Sequence, residues 1–232
     1  MNAILFALAI HLINGNVQPL SSLRAAPPNG WIGYIVQSRE PMHISCCDGC
    51  SLDGSCMSIS RRDSDDIGPA GESEVALFAK MEGGLVDKVR IFSPSCTLDA
   101  AGQTVRWVDN VSPDASVAFL RDAAERGSHS GRNAAIFALS LHAGATDTLI
   151  DLAKHDPDRD VRGKALFWLS QQAGRKAADA LKDAAENDPE ESVRSKAVFG
   201  ISQLPNDQSI PLLIDLMKNN PSRSVRKQAA FW

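Results

Sequence analysis

Asp156-Pro157-Asp158-Arg159-Asp160-Val161-Arg162-Gly163-Lys164-Ala165-Leu166-Phe167-Trp168-Leu169 decides the fold, because its outline returns twice at a fixed interval. Asp156-Pro157, Asp188-Pro189 and Asn220-Pro221 stand 32 residues apart, and so do Val161-Arg162, Val193-Arg194 and Val225-Arg226. Ala165, Ala197 and Ala229 keep the same interval, as do Phe167, Phe199 and Phe231. An earlier copy fits at a spacing of 30, with Arg132, Ala135, Phe137 and Leu139 answering to Arg162, Ala165, Phe167 and Leu169. Self-similarity at such a period is the signature of a stacked repeat, in which no unit buries its apolar face alone.

Each unit reads as two antiparallel helices. Val161, Ala165 and Leu169 stand at i, i+4 and i+8, which places one apolar stripe on a helix. Gly174 is read as the C-cap that ends this helix. Ala178, Leu181 and Ala185 give the stripe of the next unit's first helix, and the Pro189 region breaks the chain before Val193. At 100° per residue from Val161, Ala165 lies at about 40° and Leu169 at about 80°, whereas Phe167 lies at about 240°. Phe137, Phe199 and Phe231 share that outward offset. A periodic row of phenylalanines on the second helices is therefore the candidate partner-binding surface, since aromatic side chains dominate binding hot spots. Packing of these rings between adjacent repeats is the competing account, because a row of exposed phenylalanines promotes aggregation. Trp168 and Trp232 are read as core or inter-repeat packing.

Asp-Pro, four residues, Val-Arg, then Ala and Leu at helical spacing resembles the short HEAT-like repeat of bacterial proteins, of the kind found in phycobilin lyases. The resemblance covers roughly residues 116–232. It implies an α-solenoid and a ladder of structural Asp and Arg side chains between units, formed here by Asp156, Asp188, Arg162, Arg194 and Arg226. Asn220 departs from that pattern by keeping a side-chain acceptor and losing the charge. The last unit stops at Phe231-Trp232, a few residues into the helix that begins near Val225, so a solenoid truncated at its C-terminus is expected.

Upstream, the chemistry changes at Ser112-Pro113-Asp114, a helix start with Ser as N-cap and Pro in the first turn. Before it, Val75–Met81 and Leu85–Phe92 flank Glu82-Gly83-Gly84 and read as a β-hairpin. A shorter hairpin is expected around Ala100-Ala101-Gly102, with residues 104–108 as its second strand, and Trp31-Ile32-Gly33-Tyr34-Ile35-Val36 reads as a strand. The expected fold class is α+β: a small antiparallel β domain over residues 31–111, followed by the solenoid over 112–232. Residues 1–30 read as a signal segment and linker. The apolar run Ile4–Ile10 has the length of a signal-peptide core but lacks a basic flank, so a buried strand or helix is the alternative. That run is too short to cross a membrane, which takes about 20 apolar residues.

All five cysteines precede the repeats: Cys46, Cys47, Cys50, Cys56 and Cys96. Four lie within one short loop, as in small regions stapled by disulfides, and the odd count leaves one thiol over or engaged between chains. A zinc site is the alternative, built on the Cys47/Cys50 pair with His43, Cys56 or Cys96; no second C-x-x-C accompanies it. Free or redox-active thiols are the third reading. The whole chain, with its Trp31-Ile32-Gly33-Tyr34 start and cysteine cluster, is similar to exported bacterial HEAT-repeat proteins, and that likeness implies a periplasmic or secreted location.

The net charge of −4 gives no electrostatic case for nucleic acid. Residues 1–115 carry 8 Lys/Arg against 13 Asp/Glu and residues 116–232 carry 16 against 15, so no basic stripe accumulates in the repeats. None of His11, His43, His129, His142 and His155 shows a nucleophile or paired carboxylate at useful spacing, and Asp63, Asp65 and Asp66 lack the rest of a calcium loop. The expectation is a scaffold that binds another protein, with no catalytic set legible. The alternative is an enzyme or cofactor handler working through the cysteine cluster.

Overall fold

The computed structural model describes residues 11–46, 50–54, 57–61, 72–172 and 174–232. The apolar run Ile4–Ile10, Cys47, Cys56, the charged turn at 62–66 and the side chains of His43 and Cys46 lie outside what it describes.

The strands are β1 (His11–Ile13), β2 (Asn16–Pro19), β3 (Gly30–Cys46), β4 (Cys50–Ser51), β5 (Met57–Arg61), β6 (Glu72–Glu82), β7 (Leu85–Phe92), β8 (Thr97–Asp99) and β9 (Thr104–Trp107). One sheet has the order β2-β9-β3-β6-β7, with β5 beside the far end of β3, and a smaller one has the order β1-β8-β4. Period-2 alternation splits the central strands between two cores. Ile32, Tyr34, Val36, Val75, Leu77 and Ala79 face the larger core, which runs without interruption into the helices. Trp31, Ala76, Phe78, Val105 and Trp107 face the smaller core, which takes in Cys50, Leu52, Cys96 and Leu98. The sheet is thus buried on both faces, which is why residues 31–36 read as a continuous apolar run.

The β6–β7 hairpin forms with Gly83 and Gly84 at φ +58° and +81°, the paired left-handed conformation of a tight two-residue turn. Two other expectations are corrected. The segment around Ala100-Ala101-Gly102 is not a hairpin: β8 pairs in parallel with β1 and β4, and β9 in parallel with β2 and β3, so this turn passes the chain between sheets. The β domain is accordingly mixed rather than antiparallel throughout. Within residues 1–30, His11–Ile13 and Asn16–Pro19 form β1 and β2, and Leu23–Ala25 form a short 3-10 turn.

Among the described residues eight helices follow: α1 (Pro113–Arg126), α2 (His129–Leu141), α3 (Thr146–His155), α4 (Arg159–Ser170), α5 (Arg175–Asn187), α6 (Glu191–Ser202), α7 (Asn206–Asn219) and α8 (Arg223–Phe231). Ser112 caps α1, its hydroxyl accepting from the Ala115 N–H at 3.2 Å. Val161, Ala165 and Leu169 are buried as one stripe, and so are Val193, Ala197 and Ile201 one unit later. Gly174 does not cap α4, which ends at Ser170 with Gln171 as its C-cap; the glycine stands at φ +148° immediately before α5. First helices are joined along the stack by Arg121 with Asp151, Lys154 with Asp183 at 2.9 Å and Lys182 with Asp215 at 2.7 Å.

The β domain closes one end of the stack. Helices α1 and α2 lie on β7 and β3, and the Ser116 hydroxyl donates to the Tyr34 phenol at 3.2 Å within the shared core. Burial raises the Tyr34 phenol above its ordinary value, so this contact stays neutral.

Candidate functional site

The second helices α2, α4, α6 and α8 form one layer whose turns are locked by arginine. Arg162 lies between two units with its side chain 8% exposed. Its Nε and Nη2 donate to the two Asp188 carboxylate oxygens at 2.8 and 3.0 Å, and its Nη1 donates to the Asp156 and Pro157 carbonyls. Asp188 also accepts from the Glu190 N–H at 2.9 Å, so the carboxylate holds its own turn while pairing with the unit before it. The neighbouring rungs differ. Arg132 reaches Asp158 at 2.5 Å and not Asp156, which instead accepts from the Asp158 N–H and whose carboxyl is raised by burial. Arg194 donates to the Asp188 and Pro189 carbonyls, and Arg226 to those of Asn220 and Pro221.

At the α6–α8 rung Asn220 replaces the aspartate. Arg194 Nε and Asn220 Nδ2 are both buried donors without a protein partner. Asn220→Asp supplies the missing acceptor. It is expected to stabilise the α6–α8 rung by about 1 kcal/mol, a typical net hydrogen-bond contribution, read as a higher urea midpoint and slower amide exchange in α8.

The phenylalanines share the outward face of this layer without sharing an environment. Phe167 is 41% exposed, while Phe137 and Phe199 are half-buried. The difference comes from tryptophans one unit further on. The Trp168 indole lies over Phe137 with ring centres 4.7 Å apart, and Trp232 lies over Phe199 at 5.1 Å. Phe167 meets only the edge of Trp168 on its own helix among the described ring contacts, and Phe231 meets Trp232 in the same way. Phe231 is 78% exposed. The sequence carries the signal for this pattern: positions 168, 200 and 232 read Trp, Gly, Trp. Beside Phe167 the layer bears Lys164 and Lys196, both exposed, and Lys196 stretches across Gly163 toward Asp160 at 3.8 Å.

In the β domain, Cys50 and Cys96 are each 1% exposed, and the backbone of Cys46 ends β3 opposite Met57. No group of three or more His, Cys, Asp or Glu side chains comes together among the described residues. Sequence reading missed the tether of the cysteine loop: the Asp53 carboxylate accepts from Gln103 at 2.9 Å and from Lys80 and Lys88 at 3.2 Å. The Gln103 amide first, then the two ammonium groups, outweigh partial burial and hold the Asp53 carboxyl at about 2. A carboxyl depressed in the folded state stabilises above its unfolded value, near 4. That contribution is expected to be complete at neutral pH and lost as pH falls from about 4 through about 2. Asp53→Asn is expected to flatten the acid limb of the urea midpoint measured against pH.

A cleft of about 910 Å³ lies between residues 22–26 and α1, with Leu23, Met81 and Phe119 in its floor and Asp114, Asp122 and Arg126 on its rim. Among the described residues no histidine, cysteine or lysine lines it. No helix among the described residues is long and apolar enough to cross a membrane.

Residues 146–231 match the family model described as HEAT repeats. No curated protein matches the chain. Among solved structures, the chain is similar to human deoxyhypusine hydroxylase in complex with glycerol at 22% identity and a TM-score of 0.41, over 50% of this chain and 41% of that one. It is also similar to the complex of CpcE and CpcF of phycocyanin lyase from Nostoc at 23% identity and a TM-score of 0.38, over 51% of this chain and 85% of that one. The chain therefore spans about two fifths of the hydroxylase. On the period, the paired helices and the family match together, residues 146–231 are a run of HEAT repeats.

Proposed function

We propose that the chain is an exported protein-binding scaffold whose partner lies along the second helices. The observation that carries the reading is the exposure of Phe167 at the middle of a layer whose other positions repeat with the period of the stack. A large exposed aromatic on rigid, well-packed helices is the arrangement of a binding hot spot, and HEAT repeats commonly serve as interaction surfaces. Support for export is separate. The cysteines are confined to the β domain, where Cys50 and Cys96 are buried, and this reading takes them as oxidised. Oxidised cysteines belong to compartments outside the cytosol.

The test is Phe167→Ala. Because the ring is 41% exposed, the substitution is expected to move the unfolding midpoint by less than about 1 kcal/mol. Affinity for the native partner is expected to fall about tenfold or more. Loss of helicity with unchanged partner binding would return Phe167 to packing and overturn the reading.

A further inference from the structure

The three successive rungs of the second-helix layer differ at one position. Between α2 and α4 an indole covers the preceding phenylalanine, Trp168 over Phe137, and between α6 and α8 Trp232 covers Phe199. Between α4 and α6 the matching position is Gly200. A Cβ at Gly200 would stand 2.6 Å from Leu181 Cδ2 of its own unit and 3.3 Å from Ser170 Cβ of the unit before, and with no side chain at this position none reaches out over Phe167. Phe167 is accordingly the exposed member among the three phenylalanines at these rungs.

Two lysines and one aspartate flank the exposed ring of Phe167. Lys164 is exposed, one turn before Phe167 on α4, and is in no ion pair among the described residues. The Lys196 stem lies against Gly163, where an added Cβ would meet its Cδ at 2.6 Å, and its ammonium pairs with Asp160 at 3.8 Å. Asp160 stands on the same face of α4, two turns before Phe167, and the remaining neighbours on the two helices, Gln171, Ser192, Ser195 and Gln203, are neutral.

We propose that the α4–α6 rung is the anchor point of the surface. A partner's aromatic side chain, best an indole, seats over Phe167 and Gly200 in the place that Trp168 and Trp232 take on the neighbouring rungs. Carboxylates beside that residue lie on Lys164 and Lys196. The partner is therefore an acidic segment with an aromatic anchor. The inference rests on the second-helix surface being the binding face and adds the chemistry of what binds. The neighbouring rungs show which group stacks on this phenylalanine, and two lysines against the single carboxylate of Asp160 set the sign of the flanking charge.

The probe is a fluorescein-labelled peptide of 11 residues with one central Trp among Glu and Gly, titrated with the full chain and read by anisotropy. Saturable binding is expected. It should weaken about tenfold or more when the peptide Trp becomes Ala or the protein carries Phe167→Ala. The Lys164→Glu, Lys196→Glu double variant should reject the Glu peptide and accept one with Lys in place of Glu. Both lysines are exposed, so this variant is expected to keep its helicity, checked by circular dichroism. Equal binding of the Trp and Ala peptides, or no binding at millimolar protein, overturns the proposal. Such a failure, while a crosslinker at position 167 still captures the native partner, removes the aromatic anchor and leaves the scaffold reading standing. Failure of that capture as well removes both.

Discussion

Asp188→Ala is expected to destabilise the solenoid by about 3–5 kcal/mol, the cost of leaving a buried charge unpaired. Asp188 is the carboxylate hydrogen-bonded to Arg162: the Nε and Nη2 both end on it and the Nη1 is spent on two carbonyls, with Glu190 and Asp156 acting only as more distant charges. With its side chain 8% exposed, the guanidinium loses its hydrogen-bonded carboxylate without gaining water. The substitution also removes the acceptor that fixes the Glu190 N–H at the start of α6. Asp188→Asn is expected to cost less, about 1–3 kcal/mol, because it recreates the condition of the α6–α8 rung, where an asparagine holds the turn and the arginine Nε stays unpartnered. Stacked repeats need not unfold in one step, so the urea midpoint is to be joined by amide exchange. The loss of protection is expected in α4, α5 and α6 before the β domain responds.

Gly131→Ala is expected to cost about 1–3 kcal/mol, in the range of overpacked cores, and to loosen the sheet from the repeats. An added Cβ would stand 2.1 Å from the Val86 carbonyl oxygen and 2.9 Å from its carbon, and neither backbone atom can swing aside. The same contact carries the docking hydrogen bonds: the Ser128 N–H donates to Val86 O at 2.9 Å, and the hydroxyls of Ser128 and Ser130 donate to Asp87 O at 3.1 and 2.9 Å. Amide exchange should rise together in β7 and at the start of α2, with α5 to α8 unchanged. Ser130→Ala, which removes one of these bonds and adds no atom, should cost about 0.5–1.5 kcal/mol and serves as the comparison.

What was legible in the sequence divides along the distance between interacting residues. The helix pairs were readable because Val161, Ala165 and Leu169 declare a buried stripe within three turns, and the 32-residue interval repeats it. The β6–β7 hairpin was readable because Gly83-Gly84 links adjacent strands. The parallel pairings of β1 with β8 and β2 with β9 join residues more than 80 positions apart, and no local pattern marks them. Ala101 and Gly102 do take positive φ, as a turn requires, but a turn between sheets uses the same conformation as one between paired strands. Gly174 misled for a similar reason: one glycine between closely spaced helices can belong to either end. At the surface, periodicity placed the four phenylalanines outward, and only the contacts between units separate Phe167 from Phe137 and Phe199. The Asp53 tether brings together Lys80, Lys88 and Gln103 from three separate segments, which leaves no motif to read.

A photo-reactive phenylalanine analogue placed at 167, and separately at the exposed position 179 on α5, tests the central claim most directly. Irradiation of cells making the full-length protein, followed by mass spectrometry of the adducts, is expected to give one reproducible protein adduct from position 167 and none of comparable yield from position 179. Equal adduct formation from both positions, or no protein adduct from position 167, would contradict the assignment of the second helices as the binding face.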